Sequence, residues 1–428
     1  MRRRVGNNSQ AVHSISFQFP RQLFRLRIGQ AGGFRSSLAD HGPTLFLKLA
    51  HACLVRNGFL SYKKELTGCA PAKPNGKPSG FPTKGPSQVA QPDLIASPDA
   101  APANDRLVLH RLAREDAQAD FAADVARGLS SDPKQLFPKY LYDELGSHLF
   151  EAICQLPEYY CTRAETEILS RYADEMAAEI RGNKTLVEMG SGSAAKSRLI
   201  IEALLRRQHD LVFIPVDISA SALETSARSL LQTYPALQVV AYAGDYYDGI
   251  AALGSLRAER VLALFLGSNI GNFDPEEANR FLRAMRGVLR AGDALLLGAD
   301  LKKDPQTLEA AYDDALGVTR AFVRNQLVRI NRELEADFDV RRFKLVSVYN
   351  EVEGRIEVYL ESLDHQRAYI RKLDMEVVLK EGERIHMEHS YKYDLEQLSR
   401  MAAGAGFERA RTWTDSRNFF SSNLFLAV

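Results

Sequence analysis

Residues 185–301 constrain the fold most, because apolar strands and amphipathic helices alternate there across short turns. The first strand, "TLVEMG" (185–190), runs directly into "SGSAAKSRLI", a glycine-bearing turn that opens a helix. Then come "LVFIPVD" (211–217), "LQVVAYAGD" (237–245), "VLALFLGS" (261–268) and "DALLLGADL" (293–301), with helices over "SALETSARSLLQTY" and after Asp274-Pro275. Near-continuous apolar strands joined by helical crossovers predict an α/β fold, a parallel sheet covered on both faces. After Lys302 the pattern breaks. The stretch "PQTLEAAYDDALGVTRAFVRNQLVRINREL" predicts two long helices, followed by alternating strands in "FKLVSVYN", "RIEVYLESL" and "AYIRKLDMEVVL". The closing "GFERARTWTDSRNFFSSNLFLAV" predicts an antiparallel pair returning to the sheet edge. Upstream, residues 120–180 read as helices broken by Pro133, Pro138 and Pro157. The last begins near Thr162 and carries Ile168, Leu169, Tyr172 and Met176 at helical spacing.

A chain of 428 residues is long enough for two domains, or one large domain with an inserted piece. Its charge of +1 conceals a polar distribution. The first 90 residues hold 14 Lys/Arg and two acids, leaving 41 basic and 52 acidic residues in the rest. The acidic body lacks the clustered positive charge that nucleic-acid binding requires. No apolar run reaches the length of a membrane span. Cys53, Cys69, Cys154 and Cys161 have neither metal spacing nor the density of a disulfide scaffold, so a reducing cytoplasmic setting is expected. Residues 1–105 are Arg-rich at the start, then dense in Pro, Gly, Ala and Ser, and predict a disordered or non-native extension; a transit peptide has a similar composition.

The glycine turn admits three ligands. A P-loop needs Gly-Lys-Ser/Thr, whereas Lys196 and Ser197 follow two alanines. A dinucleotide fingerprint survives as Gly190, Gly192 and Ala195 in the G-x-G-x-x-A form. The next two strands end in Asp217 and Asp245, where carboxylates can accept from ribose hydroxyls and from an adenine amino group. Together with Glu188 and the turn, these strand ends suit a nucleoside without a pyrophosphate, and S-adenosylmethionine is one. Its sulfonium charge also sits better than phosphate among acids. Taken singly, each Asp reads better as a cap of its following segment; taken together with Glu188 and the glycine turn, they read as a ligand site.

Beyond the turn, the chain resembles the histidine Nα-methyltransferases of ergothioneine biosynthesis from about Asp116 to Val428. The resemblance is carried by "YDELGSHLFEAICQLPEYYCTRAE", "EMGSGSAAKSR", "FLGSNIGNF", "ADLKKD", "AAYDDALGVTRAFVRNQLVRINRELEADFD" and "HMEHSYKY". It implies transfer of three methyl groups from S-adenosylmethionine to the α-amine of L-histidine, giving hercynine. It also implies a Rossmann-like class I methyltransferase sheet (163–302 plus 392–428) with a discontinuous α+β substrate-binding domain (106–162 plus 303–391). Gly190, Lys196, Asp217 and Asp245 fall at the family's cofactor positions. Tyr142, Tyr159, Gly267, Asn272 and Tyr312 fall where it holds the amino-acid backbone, with Tyr142, Tyr159 and Asn272 nearest the chemistry. Glu388 and Ser390 fall where it holds the imidazole. One position departs: Val358 stands where the family commonly has Met against the substrate ring.

These residue types suit the reaction. Methyl transfer needs a neutral amine lone pair aimed at an activated carbon, so orientation and desolvation dominate. A phenol such as Tyr142 or Tyr159 donates and accepts without adding charge, while the Asn272 amide suits a zwitterion. Tyr160 and Asn269 read as a packed aromatic and a turn residue, and Tyr312 as a helical residue near a solvated or pocket-facing end. Strand alternation puts Glu388, Ser390 and Lys392 on one face, with Met387, His389 and Tyr391 on the other. His386 would share the face of Glu388, but no further ligand cluster completes a metal site. The expected assembly is a monomer with a small-molecule substrate, without metal, nucleic acid or membrane.

Overall fold

The computed structural model describes residues 105–112, 117–254 and 258–428. All of them fall in one compact unit, Asp93–Val428. The N-terminal extension expected over residues 1–105 lies outside the described residues apart from Asp105.

In chain order the strands are β1 (Leu107–Arg111), β2 (Lys184–Met189), β3 (Leu211–Asp217), β4 (Leu237–Ala243), β5 (Arg260–Phe265) and β6 (Ala294–Asp300). Next are β7 (Phe343–Asn350), β8 (Arg355–Ser362), β9 (Gln366–Ile370), β10 (Met375–Leu379), β11 (Arg384–Tyr391), β12 (Phe407–Thr414) and β13 (Phe420–Ala427). Eight of them form one sheet in the order β1-β4-β3-β2-β5-β6-β13-β12. The first six pair parallel, and the final hairpin adds antiparallel at β6, as its sequence predicts. The chain winds outward from β2 in both directions, since β2 lies between β3 and β5, with Leu186 opposite both Phe213 and Leu262. That reversal of strand order opens a crevice beyond the carboxyl ends of β2 and β5.

Two hydrophobic clusters cover the two faces. One holds Ile168, Leu204, Phe213, Leu230 and Leu264; the other holds Val187, Ile214, Phe265, Phe281 and Met285. The first runs on without interruption into Phe322, Phe343, Val358 and Leu379 of the smaller layer. There β7, β8 and β11 form an antiparallel sheet in the order β11-β8-β7, and β9 and β10 form a hairpin.

Four expectations differ from the structure. Leu107–Arg111, assigned to the substrate-binding part, pairs parallel with β4 at the edge of the large sheet. Residues 134–136 do join the smaller layer, through Leu136 N–H to the His386 carbonyl and His386 N–H to the Lys134 carbonyl. The two long helices are one short helix, Pro305–Ala310, and one long helix, Val318–Leu334. Asp314 separates them, accepting from the backbone N–H of Val318 (2.9 Å) and Thr319 (2.7 Å). Tyr312 therefore stands in a turn rather than on a helix. Finally, the register of β11 shifts between His386 and Glu388. This bulge turns His386 to the side of His389, whose ring is 5.8 Å away, and leaves Glu388 opposite Val358 on the buried side.

Candidate active site

The turn after β2 is held by backbone and by one carboxylate. Gly190 and Ser191 donate their N–H groups to the Val216 carbonyl at 2.8 and 3.2 Å. Asp217, at the end of β3, accepts from the N–H of Gly192 (2.8 Å) and of Ser219 (2.9 Å). Burial nonetheless raises its carboxyl above the ordinary value. Gly190 has φ +76, and a β-carbon there would stand 2.9 Å from Asn269 Nδ2 and 3.1 Å from the Tyr246 hydroxyl. Neither the angle nor the space suits another residue. Beside Gly192 a β-carbon would meet nothing within 4 Å, so the turn borders open space. Asp245 begins the helix Tyr246–Leu253, its Oδ1 accepting from Asp248 N–H at 2.8 Å. Capping thus occupies one of its oxygens. Open space at the turn, Asp217 and Asp245 on adjacent strand ends and Tyr246 alongside together fit a cationic nucleoside.

A part-buried ion pair ties this turn to the next loop. Lys196 contacts the fully buried Glu165 on the helix Tyr160–Glu179. Glu165 also accepts from the N–H of Gly267 at 2.9 Å, and Gly267 (φ +77) comes shortly after β5. Burial alone would lower the Lys196 ammonium, but Glu165 holds it above its ordinary value. Room for the carboxylate comes from Gly298 on β6, where a β-carbon would overlap Glu165 Oε1. Below the turn, Glu188 accepts from Ser197 Oγ at 2.5 Å, and burial pushes its carboxyl up to about 7.

From Gly267 a cleft opens against the smaller layer. It is lined by Tyr142, Tyr159, Gly267, Asn272, Tyr312, Glu388 and Ser390, all seven of the residues expected to serve substrate or chemistry. Tyr142 stands edge-on to Phe150 and Phe322, and Tyr159 edge-on to Tyr312. Burial raises both phenols well above their ordinary values, so both stay neutral. Asn272 ends the short helical turn Asn269–Asn272. Burial pushes Glu388 up to about 7, although the nearby Lys392 ammonium opposes the shift.

Behind the cleft lies a charged network that no contiguous stretch of sequence reveals. Asp300, fully buried at the end of β6, accepts from Tyr160 Oη (2.8 Å), Lys303 Nζ (2.6 Å) and Lys392 Nζ (2.9 Å). Burial would raise its carboxyl, but Lys392 and Lys303 hold it below the ordinary value. Lys392 also donates to Tyr312 Oη and Ser390 Oγ, each at 2.9 Å. Tyr160 is thus a hydrogen-bonded member of the network rather than simply a packed aromatic. Asn269 likewise is more than a turn residue, since it lines the cleft and abuts Gly190. Glu165 carries a usable sequence signal: it is a charge on the apolar stripe of its helix, between Ala164 and Ile168. Nothing local in the sequence points to Tyr246.

Among the described residues no group of three or more His, Cys, Asp or Glu side chains is arranged to hold a metal ion. Among the same residues no helix is long and apolar enough to cross a membrane.

Comparison with known proteins agrees with this geometry. Residues 121–427 match the family described as "Histidine-specific methyltransferase, SAM-dependent". A histidine N-alpha-methyltransferase of Mycobacterium tuberculosis is 42% identical over 317 residues, covering 74% of this chain and 98% of that protein. Its namesake in Mycolicibacterium smegmatis is 40% identical, covering 73% and 97% respectively. An ergothioneine biosynthesis protein 1 of Neurospora crassa is 34% identical over 66% of this chain and 32% of that protein. With its Gly190 turn, its cleft and a match over more than two thirds of its length, the chain belongs to the family of histidine-specific, S-adenosylmethionine-dependent methyltransferases.

Proposed function

We propose that this enzyme adds three methyl groups to the α-amine of L-histidine, giving hercynine, as the first step of ergothioneine biosynthesis. The observation that carries the reading is the pair Glu388 and Ser390, which face one cleft together with Tyr142, Tyr159, Asn272 and Gly267. When bound, S-adenosylmethionine supplies a methyl group already activated by a sulfonium. Gly190, Lys196, Asp217 and Asp245 are the residues that would hold it. The rest of the site has to orient a small zwitterion and keep its amine neutral and dry. Tyr142 and Tyr159 offer neutral hydroxyls to that amine. With ionisation so strongly opposed by burial they work as donors and acceptors, and the ammonium proton leaves to water. Asn272 offers an amide to the carboxylate, and Glu388 accepts from a ring N–H.

The test is incubation with S-adenosylmethionine and each common amino acid, read as mass gain. Histidine should gain three methyl groups. Glu388→Ala should lower histidine turnover roughly 10- to 150-fold, the worth of one hydrogen bond to a charged group, with S-adenosylhomocysteine affinity little changed. A preferred substrate without a ring N–H would overturn the reading.

Val358 supports a second reading, methylation of another amino acid or small amine. It is fully buried and directly opposite Glu388 across the ladder. A shorter side chain than Met there leaves more room for a ring larger than imidazole. Faster methylation of such an amino acid in the same screen would favour it.

A further inference from the structure

Ser390 is held by two donors at once. Its Oγ accepts from Lys392 Nζ at 2.9 Å and from Tyr312 Oη at 2.8 Å. A serine hydroxyl has two acceptor lone pairs and one hydrogen, so both lone pairs are taken. The ammonium has no freedom to change this. Its three hydrogens go to Ser390, Tyr312 and Asp300, and its side chain is fully buried. Tyr312 accepts from Lys392 and passes its own hydrogen to Ser390. The Ser390 hydrogen is given to no protein acceptor among the described residues, and Ser390 lines the cleft. Of the two hydroxyls and one ammonium, a single hydrogen remains without a protein acceptor, on the wall of the cleft. Beside it, the Glu388 carboxyl offers the opposite polarity.

We propose that Lys392 is a positioning residue that fixes the hydrogen-bond polarity of the side-chain pocket: it makes Ser390 a donor only, so that the pocket takes a neutral imidazole presenting a nitrogen lone pair to Ser390 and an N–H to Glu388. This rests on histidine being the substrate. A doubly protonated ring would set an N–H against the Ser390 hydrogen and is rejected. The groups around the ring are consistent with this polarity. Tyr142, Tyr159 and Tyr312 are held neutral, and Lys392 is held charged by Asp300 against the cost of its burial. Glu388 is the carboxyl of the cleft; burial raises it to about 7, and its carbonyl oxygen accepts a ring N–H whether or not the group carries a proton. Lys303 is engaged by Asp300 behind the cleft, and His386 and His389 lie beyond the bulge on the other face.

The experiment has two arms, both on the full chain with S-adenosylhomocysteine bound. In the first, nitrogen NMR of ring-labelled histidine is recorded in complex at about pH 6, below the ordinary imidazole pKa of about 6.5. One ring nitrogen should remain unprotonated although most free histidine is then an imidazolium. Two protonated nitrogens in the complex would overturn the proposal. In the second, histidine affinity is measured by calorimetry for Ser390→Ala, Lys392→Met and the double variant. Asp300 keeps Lys303 as its partner in Lys392→Met. Ser390→Ala alone should weaken binding roughly 3- to 10-fold, and by less than about twofold when Lys392 is already Met, because Ser390 is then free to turn its hydrogen to Tyr312. An equal loss in both backgrounds would also overturn it. Absence of any histidine binding to the wild type would instead overturn the substrate reading.

Discussion

The two halves of the site are built by opposite means. On the donor side, contacts are short-range in space and mostly backbone: Asp217 clasps two N–H groups, and Asp245 caps its own helix. On the substrate side, Tyr142, Tyr159, Asn272, Tyr312 and Glu388 come from five separated segments. Behind them lies one buried carboxylate, Asp300, with two ammonium groups, the Tyr160 phenol and the Cys161 thiol on it, joined to the cleft where Lys392 donates to Tyr312 and Ser390. Apart from Gly190 and the Lys196–Glu165 pair, a turn held by its own peptide groups tolerates side-chain change. A cleft held by buried charge does not, because removing one partner strands the others in a medium that solvates them poorly.

The largest break should therefore come at Asp300. Asp300→Ala leaves Lys303 and Lys392 buried without a counter-ion, and should lower unfolding stability by about 3–5 kcal/mol in a denaturant titration. Asp217→Ala, the comparable change on the donor side, should cost clearly less. Equal losses would mean that the donor turn is also held by charge.

Glu388 sharpens the comparison from the other direction. Its carboxyl is raised to about 7 in the folded protein, against 4.5 for the ordinary group, so between those values the folded state binds the extra proton. Stability from this group is therefore present at low pH and is lost as pH rises from about 4.5 to 7. At pH 8 the ionised Glu388 is a burden on the empty fold. Glu388→Gln should raise unfolding stability at pH 8 by about 2–3 kcal/mol and leave it nearly unchanged at pH 4.5. Thermal unfolding at the two pH values would show this, alongside lost histidine turnover. A variant no more stable at pH 8 would place the cost of that burial elsewhere.

The same contrast governs how much of the molecule is legible in its sequence. Parallel strands, crossovers and the glycine turn are legible because each is written in contiguous residues with a period or a turn chemistry. The terminal hairpin is legible for the same reason. The placements of Tyr312 and His386 are not, because a cap by Asp314 and a one-residue bulge leave the apolar pattern intact while re-aiming the side chains around them. The cleft residues are reached through resemblance, since no spacing relates Tyr142 to Glu388. Asp300 and Lys392 stand inside two of the stretches that carry that resemblance, yet their pairing exists only once β6 and the residue after β11 are brought side by side.

The smallest effect separates capping from binding at Asp245. One oxygen accepts from Asp248 N–H, leaving the other for a ligand. Asn caps a helix about as well as Asp, whereas Ala does not. Asp245→Asn should hold stability within a few tenths of a kcal/mol, and Asp245→Ala should lose about 1 kcal/mol. Asn also keeps an acceptor at one position only, with an amide at the other. If Asp245 receives the adenine amino group, both variants should weaken S-adenosylhomocysteine binding, measured by calorimetry, while histidine affinity in the remaining complex stays the same. If only Ala has any effect, and that effect tracks stability, the residue is a cap and the adenosine is held by Asp217 and the turn alone.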